Sequence, residues 1–182
     1  MNLVILGRDG VINPRPLKPL LSPEDWAPLP GSLEAIARLT HADYRVTVAT
    51  NQSGIGRKLF DIDTLNRIHD RMCRQVQSLG GAIELVVFCP ETDNRHPDRK
   101  PNPGMLHTIA RRLGTGLQRV PVIGDEYDDI QAARSGGAQP LLVLTGLGEN
   151  TRRKLTSAST CPIFADLADA VDNGLLAART KP

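Results

Sequence analysis

Short apolar runs alternate along this chain with longer stretches of helical period, and that rhythm admits few architectures. Five runs, at residues 3–6, 45–49, 83–88, 120–123 and 140–144, are short enough for strands, and each ends in polar, Gly or Pro residues. They are almost continuously apolar, as strands covered on both faces must be. Helical stretches lie between them. Pro30-Gly31-Ser32 precedes residues 33–39, and Asp61 or Asp63 precedes Leu65, Ile68, Met72, Val76 and Leu79, spaced by three or four. Residues 105–113, 128–135 and 167–178 supply three more, the second stopped by Gly136-Gly137. The alternation predicts an α/β fold of three layers, with a mainly parallel five-stranded sheet between two layers of helices.

The rest of the composition narrows the function. With 182 residues, 1–182 reads as a single domain, and no apolar run approaches the ~20 residues that span a bilayer. The start, Met1-Asn2-Leu3-Val4-Ile5-Leu6, is too short in its apolar part for a signal peptide, so a cytoplasmic protein without a membrane partner is expected. Cys73, Cys89 and Cys161 are an odd set without framework spacing, which fits a reducing compartment. A formal charge of +2 and only 3% aromatic residues argue against a nucleic-acid partner. His41, His69 and His107 lack partners at ligand spacing and read as packing or surface residues. A monomer is expected.

In open α/β sheets ligands bind beyond the carboxyl ends of the strands, so the residues after each apolar run matter most. Gly7-Arg8-Asp9-Gly10 follows the first run, and Thr50-Asn51-Gln52-Ser53-Gly54 the second. Cys89 and then Arg99-Lys100-Pro101 follow the third, and Gly124-Asp125 with Asp129 the fourth. Two carboxylates on neighbouring strand ends, Asp9 and Asp125, suit Mg²⁺, which takes oxygen ligands and keeps sites for water and a substrate phosphate. Thr50, Asn51 and Lys100 would face that phosphate, because phosphoryl transfer depends on positioning and on neutralising spread negative charge. Asp129 suits either a supporting place at the metal or a helix cap.

Four ordered segments carry a resemblance. Leu6-Gly7-Arg8-Asp9-Gly10-Val11-Ile12-Asn13, Ala49-Thr50-Asn51-Gln52-Ser53-Gly54-Ile55, Arg99-Lys100-Pro101-Asn102-Pro103-Gly104-Met105 and Ile123-Gly124-Asp125 with Asp129-Ile130-Gln131-Ala132-Ala133 are similar to the four motifs of the haloacid dehalogenase superfamily. The match is to its D-glycero-D-manno-heptose 1,7-bisphosphate phosphatase branch, which also includes histidinol-phosphate phosphatases. The resemblance implies a Rossmann-like sheet in the order 3-2-1-4-5 with no large cap domain. It also implies a Mg²⁺-dependent hydrolase of phosphomonoesters, a sugar phosphate as ligand, and a place in lipopolysaccharide or capsule biosynthesis. By the same resemblance Asp9 is the general acid and base, and its backbone carbonyl ligates Mg²⁺ together with Asp125. Thr50 binds the phosphoryl oxygens, Lys100 neutralises them, Asp129 supports the loop, and Arg99, Asn51 and Gln52 meet the sugar phosphate.

Two positions depart from the resembled pattern. Where the superfamily carries the Asp that attacks phosphorus, this chain has Gly7, so covalent catalysis lacks its side chain and Mg²⁺ an anionic oxygen. Three explanations stand open: a phosphatase relative that lost turnover, a substitution at one site, or direct attack by a water occupying the Gly7 space. Accordingly the expected function is a phosphomonoesterase site impaired at Gly7, with a catalytically silent sugar-phosphate binder or a histidinol-phosphate phosphatase as alternatives. The second departure is the loop before Arg99, where relatives carry a structural zinc in a Cys-x-His and Cys-x-Cys pattern. Here Cys89, Glu91, His96 and Asp98 occupy those places. All four can bind zinc, yet a zinc-free loop held by Pro90 and Pro97 is favoured, because two carboxylates are uncommon in structural zinc sites.

Overall fold

The computed structural model describes residues 2–156 and 160–177. Six strands, β1 (Asn2–Leu6), β2 (Tyr44–Asn51), β3 (Leu85–Cys89), β4 (Pro121–Gly124), β5 (Gln139–Val143) and β6 (Ile163–Phe164), form one parallel sheet in the order β3-β2-β1-β4-β5-β6. Connecting them are α1 (Ser32–His41), α2 (Ser53–Gly56), α3 (Ile62–Ser78), α4 (Gly104–Leu113), α5 (Tyr127–Ser135), α6 (Gly148–Lys154) and α7 (Leu167–Asp169), the last continuing as a π-helical run over Ala170–Leu176.

The alternation of side chains along β1 sorts the core into two layers. Val4 and Leu6 face α1, α3 and the C-terminal helical segment, meeting Ile36, Leu39, Ile68, Met72 and Val171. Leu3 and Ile5 face the opposite way, onto Met105, Leu106 and Ile109 of α4 and Ala132 and Ala133 of α5. Asp61 caps α3, its carboxylate accepting from the Thr64 N–H at 2.8 Å. No crossover carries a domain-sized insertion, so no large cap domain covers the carboxyl edge of the sheet.

The sheet has one strand more than the five apolar runs predict. β6 is two residues long and pairs only Leu142 with Ile163 and Val143 with Phe164, too short to leave a periodic trace. The helices α2 and α6 are also additions: one has four residues, and the other, GENTRRK, carries no apolar stripe. Of the helix expected over residues 167–178, the chain realises α7 and the π-helical run, while Ala178 lies outside the described residues. No helix among the described residues is long and apolar enough to cross a membrane.

Candidate active site

The carboxyl ends of β1, β2 and β4 meet the segment before α4 around a small cleft. Arg8, Asp9, Arg15, Thr50, Asn51, Lys100, Asp125, Glu126 and Asp129 line it, and its volume is about 50 Å³. Arg8, Asp9 and Asn51 also border a wider pocket of about 190 Å³ that runs between the segment 16–20 and the residues Gln52, Arg57 and Phe60. A narrow polar end joined to a wider mouth is a shape for one small anionic group on a larger polar molecule.

Asp9 is crowded with donors. Arg8 reaches it through Nε (3.1 Å to Oδ1) and Nη2 (2.9 and 3.0 Å), Asn13 Nδ2 donates at 2.9 Å, and Gln52 Nε2 at 3.0 Å. Burial pushes its carboxyl up, but the Arg8 charge and the bonds from Asn13, Arg8 and Gln52 outweigh it and hold the pKa below the ordinary value. Gln52 Nε2 also donates to Thr50 Oγ1 at 2.8 Å, tying the hydroxyl at the end of β2 to the carboxylate after β1.

Asp125 is the opposite case. Burial, and after it the charge of Asp129, raise its pKa to about 7, while the Leu147 N–H and Arg15 pull only weakly the other way. Its Oδ2 accepts from the Leu147 N–H at 2.9 Å, its backbone carbonyl accepts from Thr151 Oγ1 at 2.8 Å, and Arg15 stands 3.8 Å away at the rim, where it pairs with Glu126. Two glycines make the close approach possible. At Gly10 (φ +81°) a Cβ would lie 2.1 Å from Asp125 Oδ2, and at Gly146 (φ +58°) 2.2 Å from the same atom. The turn after β5 therefore wraps Asp125 against the loop after β1, with Thr145 Oγ1 donating to the Gly10 carbonyl at 2.6 Å.

Lys100 is buried beneath the cleft, donating to Asp129 Oδ1 at 2.5 Å and to the Ala49 carbonyl at 3.0 Å. Burial works against its charge, but Asp129, followed by Glu126 and Asp125, more than offsets this and keeps the ammonium protonated. An ammonium has three donors, so one remains for a ligand. Asp129 spends its second oxygen on the Glu126 N–H at 3.1 Å, capping α5 while holding Lys100. Asn51 pairs with the Lys100 backbone at both ends, 3.1 Å each, and so staples β2 to the segment before α4.

Other predicted residues lie elsewhere. Arg99 turns away from both cavities, its Nε on Asn94 Oδ1 and its Nη1 on the Glu91 carbonyl, each at 2.8 Å, so it braces its own loop. In that loop Cys89 Sγ and His96 Nδ1 are 4.0 Å apart, and the Asp98 N–H donates to the same nitrogen at 3.2 Å. Among the described residues no three His, Cys, Asp or Glu side chains converge on a common metal position, either in this loop or in the cleft. Gly7 is buried at the end of β1, its N–H on the Ile123 carbonyl at 2.8 Å. A Cβ there would stand 3.0 Å from Val11 Cγ2, a methyl that needs to give by only a few tenths of an ångström.

Three contributors leave little or no trace in the sequence. The Thr145-Gly146-Leu147 turn and Thr151 hold Asp125, and their one trace is a Gly-containing stretch after the fifth apolar run. His69, expected to be a packing or surface residue, accepts from Arg8.

Sheet order and the residues at the strand ends are those of the haloacid dehalogenase class, and the relatives of the chain bear this out. A HAD-hydrolase-like family model matches residues 98–170, and a polynucleotide kinase 3 phosphatase model matches residues 9–127. The chain is 50% identical over 152 residues to the D-glycero-beta-D-manno-heptose-1,7-bisphosphate 7-phosphatase of Bordetella bronchiseptica, covering 83% of this chain and 85% of that protein. To the Pseudomonas aeruginosa protein of the same name it is 44% identical over 176 residues, covering 96% and 98%. The crystal structure of the D,D-heptose 1,7-bisphosphate phosphatase from B. bronchiseptica, complexed with magnesium and phosphate, superposes with a TM-score of 0.91 at 45% identity, over 95% of this chain and 97% of that one. The Burkholderia thailandensis structure gives 0.75 at 41% identity, over the whole of both chains. This chain belongs to the D-glycero-D-manno-heptose-1,7-bisphosphate 7-phosphatase family.

Proposed function

We propose that the chain carries a Mg²⁺-dependent phosphomonoesterase site for the 7-phosphate of D-glycero-D-manno-heptose 1,7-bisphosphate, and that Gly7 slows its turnover. The observation that carries the reading is Asp125, a buried carboxylate without a buried cation of its own, facing the ammonium of Lys100 and the hydroxyl of Thr50 across one small cleft. An ionised Asp125 in this buried setting needs a positive charge beside it. That need fits an oxygen-seeking divalent ion, held by Asp125 and the backbone carbonyl of Asp9. When bound, Mg²⁺ would neutralise charge developing on the phosphoryl oxygens.

The remaining chemistry belongs to the chain. Thr50 and the third Lys100 proton bind the phosphoryl group, and Asp129 keeps Lys100 charged. No side chain at position 7 can attack, so water attacks phosphorus directly. A bond forms from water oxygen to phosphorus, the bond from phosphorus to the sugar oxygen breaks, and the sugar leaves as its alcohol. Asp9, held ionised by Arg8, Asn13 and Gln52, takes the proton from water and passes one to the leaving oxygen. The covalent route is closed, so turnover is low; a silent sugar-phosphate binder is the limit of this reading, favoured by the same glycine.

Phosphate release from heptose 1,7-bisphosphate, measured for this chain and for Gly7→Asp with and without Mg²⁺, tests it. Release that needs Mg²⁺ and rises about a thousandfold or more in Gly7→Asp is expected. Release indifferent to chelation, or none from either protein, overturns the proposal.

A further inference from the structure

His69 lies on the buried face of α3, one turn from Leu65, with its ring 6.2 Å from that of Phe88 on β3 at 57°. Its Nε2 is 3.0 Å from Arg8 Nη1. A guanidinium can only donate, so Nε2 is the acceptor and the ring proton sits on Nδ1. Arg8 is 2% exposed and His69 7%, so the contact is closed to water. The rest of the Arg8 fork lies on Asp9. Three elements thus converge on one line: β3 fixes the imidazole plane, α3 presents Nε2, and the guanidinium spans from there to the carboxylate.

We propose that His69 is a positioning residue for the phosphatase reaction, holding Arg8 so that Arg8 holds the Asp9 carboxylate in the orientation its proton transfers require. The inference rests on the role given to Asp9 in the proposed function. Burial, and then the Arg8 charge, push the His69 pKa down to about 3, against a weaker pull from Asp9, so the neutral acceptor form persists throughout the working range. Without that acceptor the buried Nη1 donors of Arg8 have no partner here, and the guanidinium is free to turn. Asp9 then keeps its charge and its bonds from Asn13 and Gln52 but loses the two-point hold of Arg8, and a displacement of about 1 Å at a reacting group can cost on the order of a hundredfold in rate. The phosphate and metal contacts, made by Thr50, Lys100 and Asp125, do not involve His69.

The test is the steady-state kinetics of His69→Phe and His69→Gln with Mg²⁺ and heptose 1,7-bisphosphate, in this chain and in the Gly7→Asp background. Phe keeps a ring against Phe88 but has no acceptor, whereas the Gln amide oxygen can accept from Arg8. Expected are a kcat lowered about tenfold or more in His69→Phe with KM within about threefold, and recovery of most of that loss in His69→Gln. Arg8→Lys, which cannot form the fork, should show the same split, and the His69→Phe loss should nearly vanish on top of it. If His69→Phe does not fold, the comparison of His69→Gln with Arg8→Lys decides: near-parental kcat in the first and loss in the second are expected. A kcat unchanged by His69→Phe, kcat and KM failing together with no rescue by Gln, or full additivity with Arg8→Lys overturns the inference. Silence of both parents overturns the functional reading first and this one with it.

Discussion

Asp9 and Asp125 follow adjacent strands, β1 and β4, and border the same small cleft, yet their surroundings drive them in opposite directions. Asp9 meets a guanidinium and two side-chain amides, and its carboxyl is held below the ordinary range. Asp125 meets one backbone N–H, a distant rim arginine, two other acids and a lysine whose ion pair is with Asp129, and its carboxyl is raised to about 7. The difference separates two environments. A carboxylate already saturated with donors is held ionised and fixed in direction. A buried carboxylate lacking a cation is suited to receive one. Chains with paired acids divide their roles through environment, since the side chains themselves are identical.

The largest effect expected from breaking this division follows from Asp9→Asn. It removes the group proposed to carry the proton and strands Arg8 in the interior, so kcat should fall roughly a hundred- to ten-thousandfold. The same change should cost about 3 kcal/mol in denaturant unfolding. Next, Gly146→Ala places a Cβ against Asp125 Oδ2 and Gly10 Cα at a left-handed φ. It should destabilise the chain by about 2 kcal/mol and weaken Mg²⁺ binding by calorimetry, while sparing the Asp9 contacts.

Titration sharpens the same contrast. The folded pKa of Asp125 is raised, so the folded chain binds more protons than the unfolded one between about pH 4 and about 7. In the absence of metal, Asp125 therefore contributes instability that grows as pH rises through that window, and the stability gain of Asp125→Asn over the parent should widen with it. Asp9 has the other sign: its contribution is present above the unfolded pKa and is lost as pH falls below about 4. Unfolding followed at several pH values for the parent and both variants checks both slopes. The smallest effect is expected of Thr151→Val, which removes the hydroxyl on the Asp125 carbonyl. It should cost about 1 kcal/mol and leave Mg²⁺ affinity within about twofold.

The alternation of apolar runs made the sheet legible, because strands buried on both faces must be apolar along their length and helices between them must show one apolar stripe. β6 escaped because two residues carry no period, and α6 because GENTRRK has polar residues all round. In the site, Asp9, Thr50, Lys100 and Asp125 stand at strand ends or just before a helix, where topology alone brings them together. Contacts that depend on side-chain direction were not legible. Arg99 and Lys100 are adjacent in sequence, yet Arg99 braces an outer loop and Lys100 lies under the cleft. His69 is separated from Arg8 by 61 residues, and only the packing of α3 on the sheet brings the two within bonding distance.

The claim that the two carboxylates have different work is tested most directly by Mg²⁺ binding, measured by calorimetry at about pH 8 on this chain, Asp125→Asn and Asp9→Asn. Asp125→Asn is expected to lose affinity by a factor of about ten or more, while Asp9→Asn, which keeps its backbone carbonyl, stays within about threefold of the parent. Equal losses in the two variants, or retention of affinity in Asp125→Asn, would contradict it.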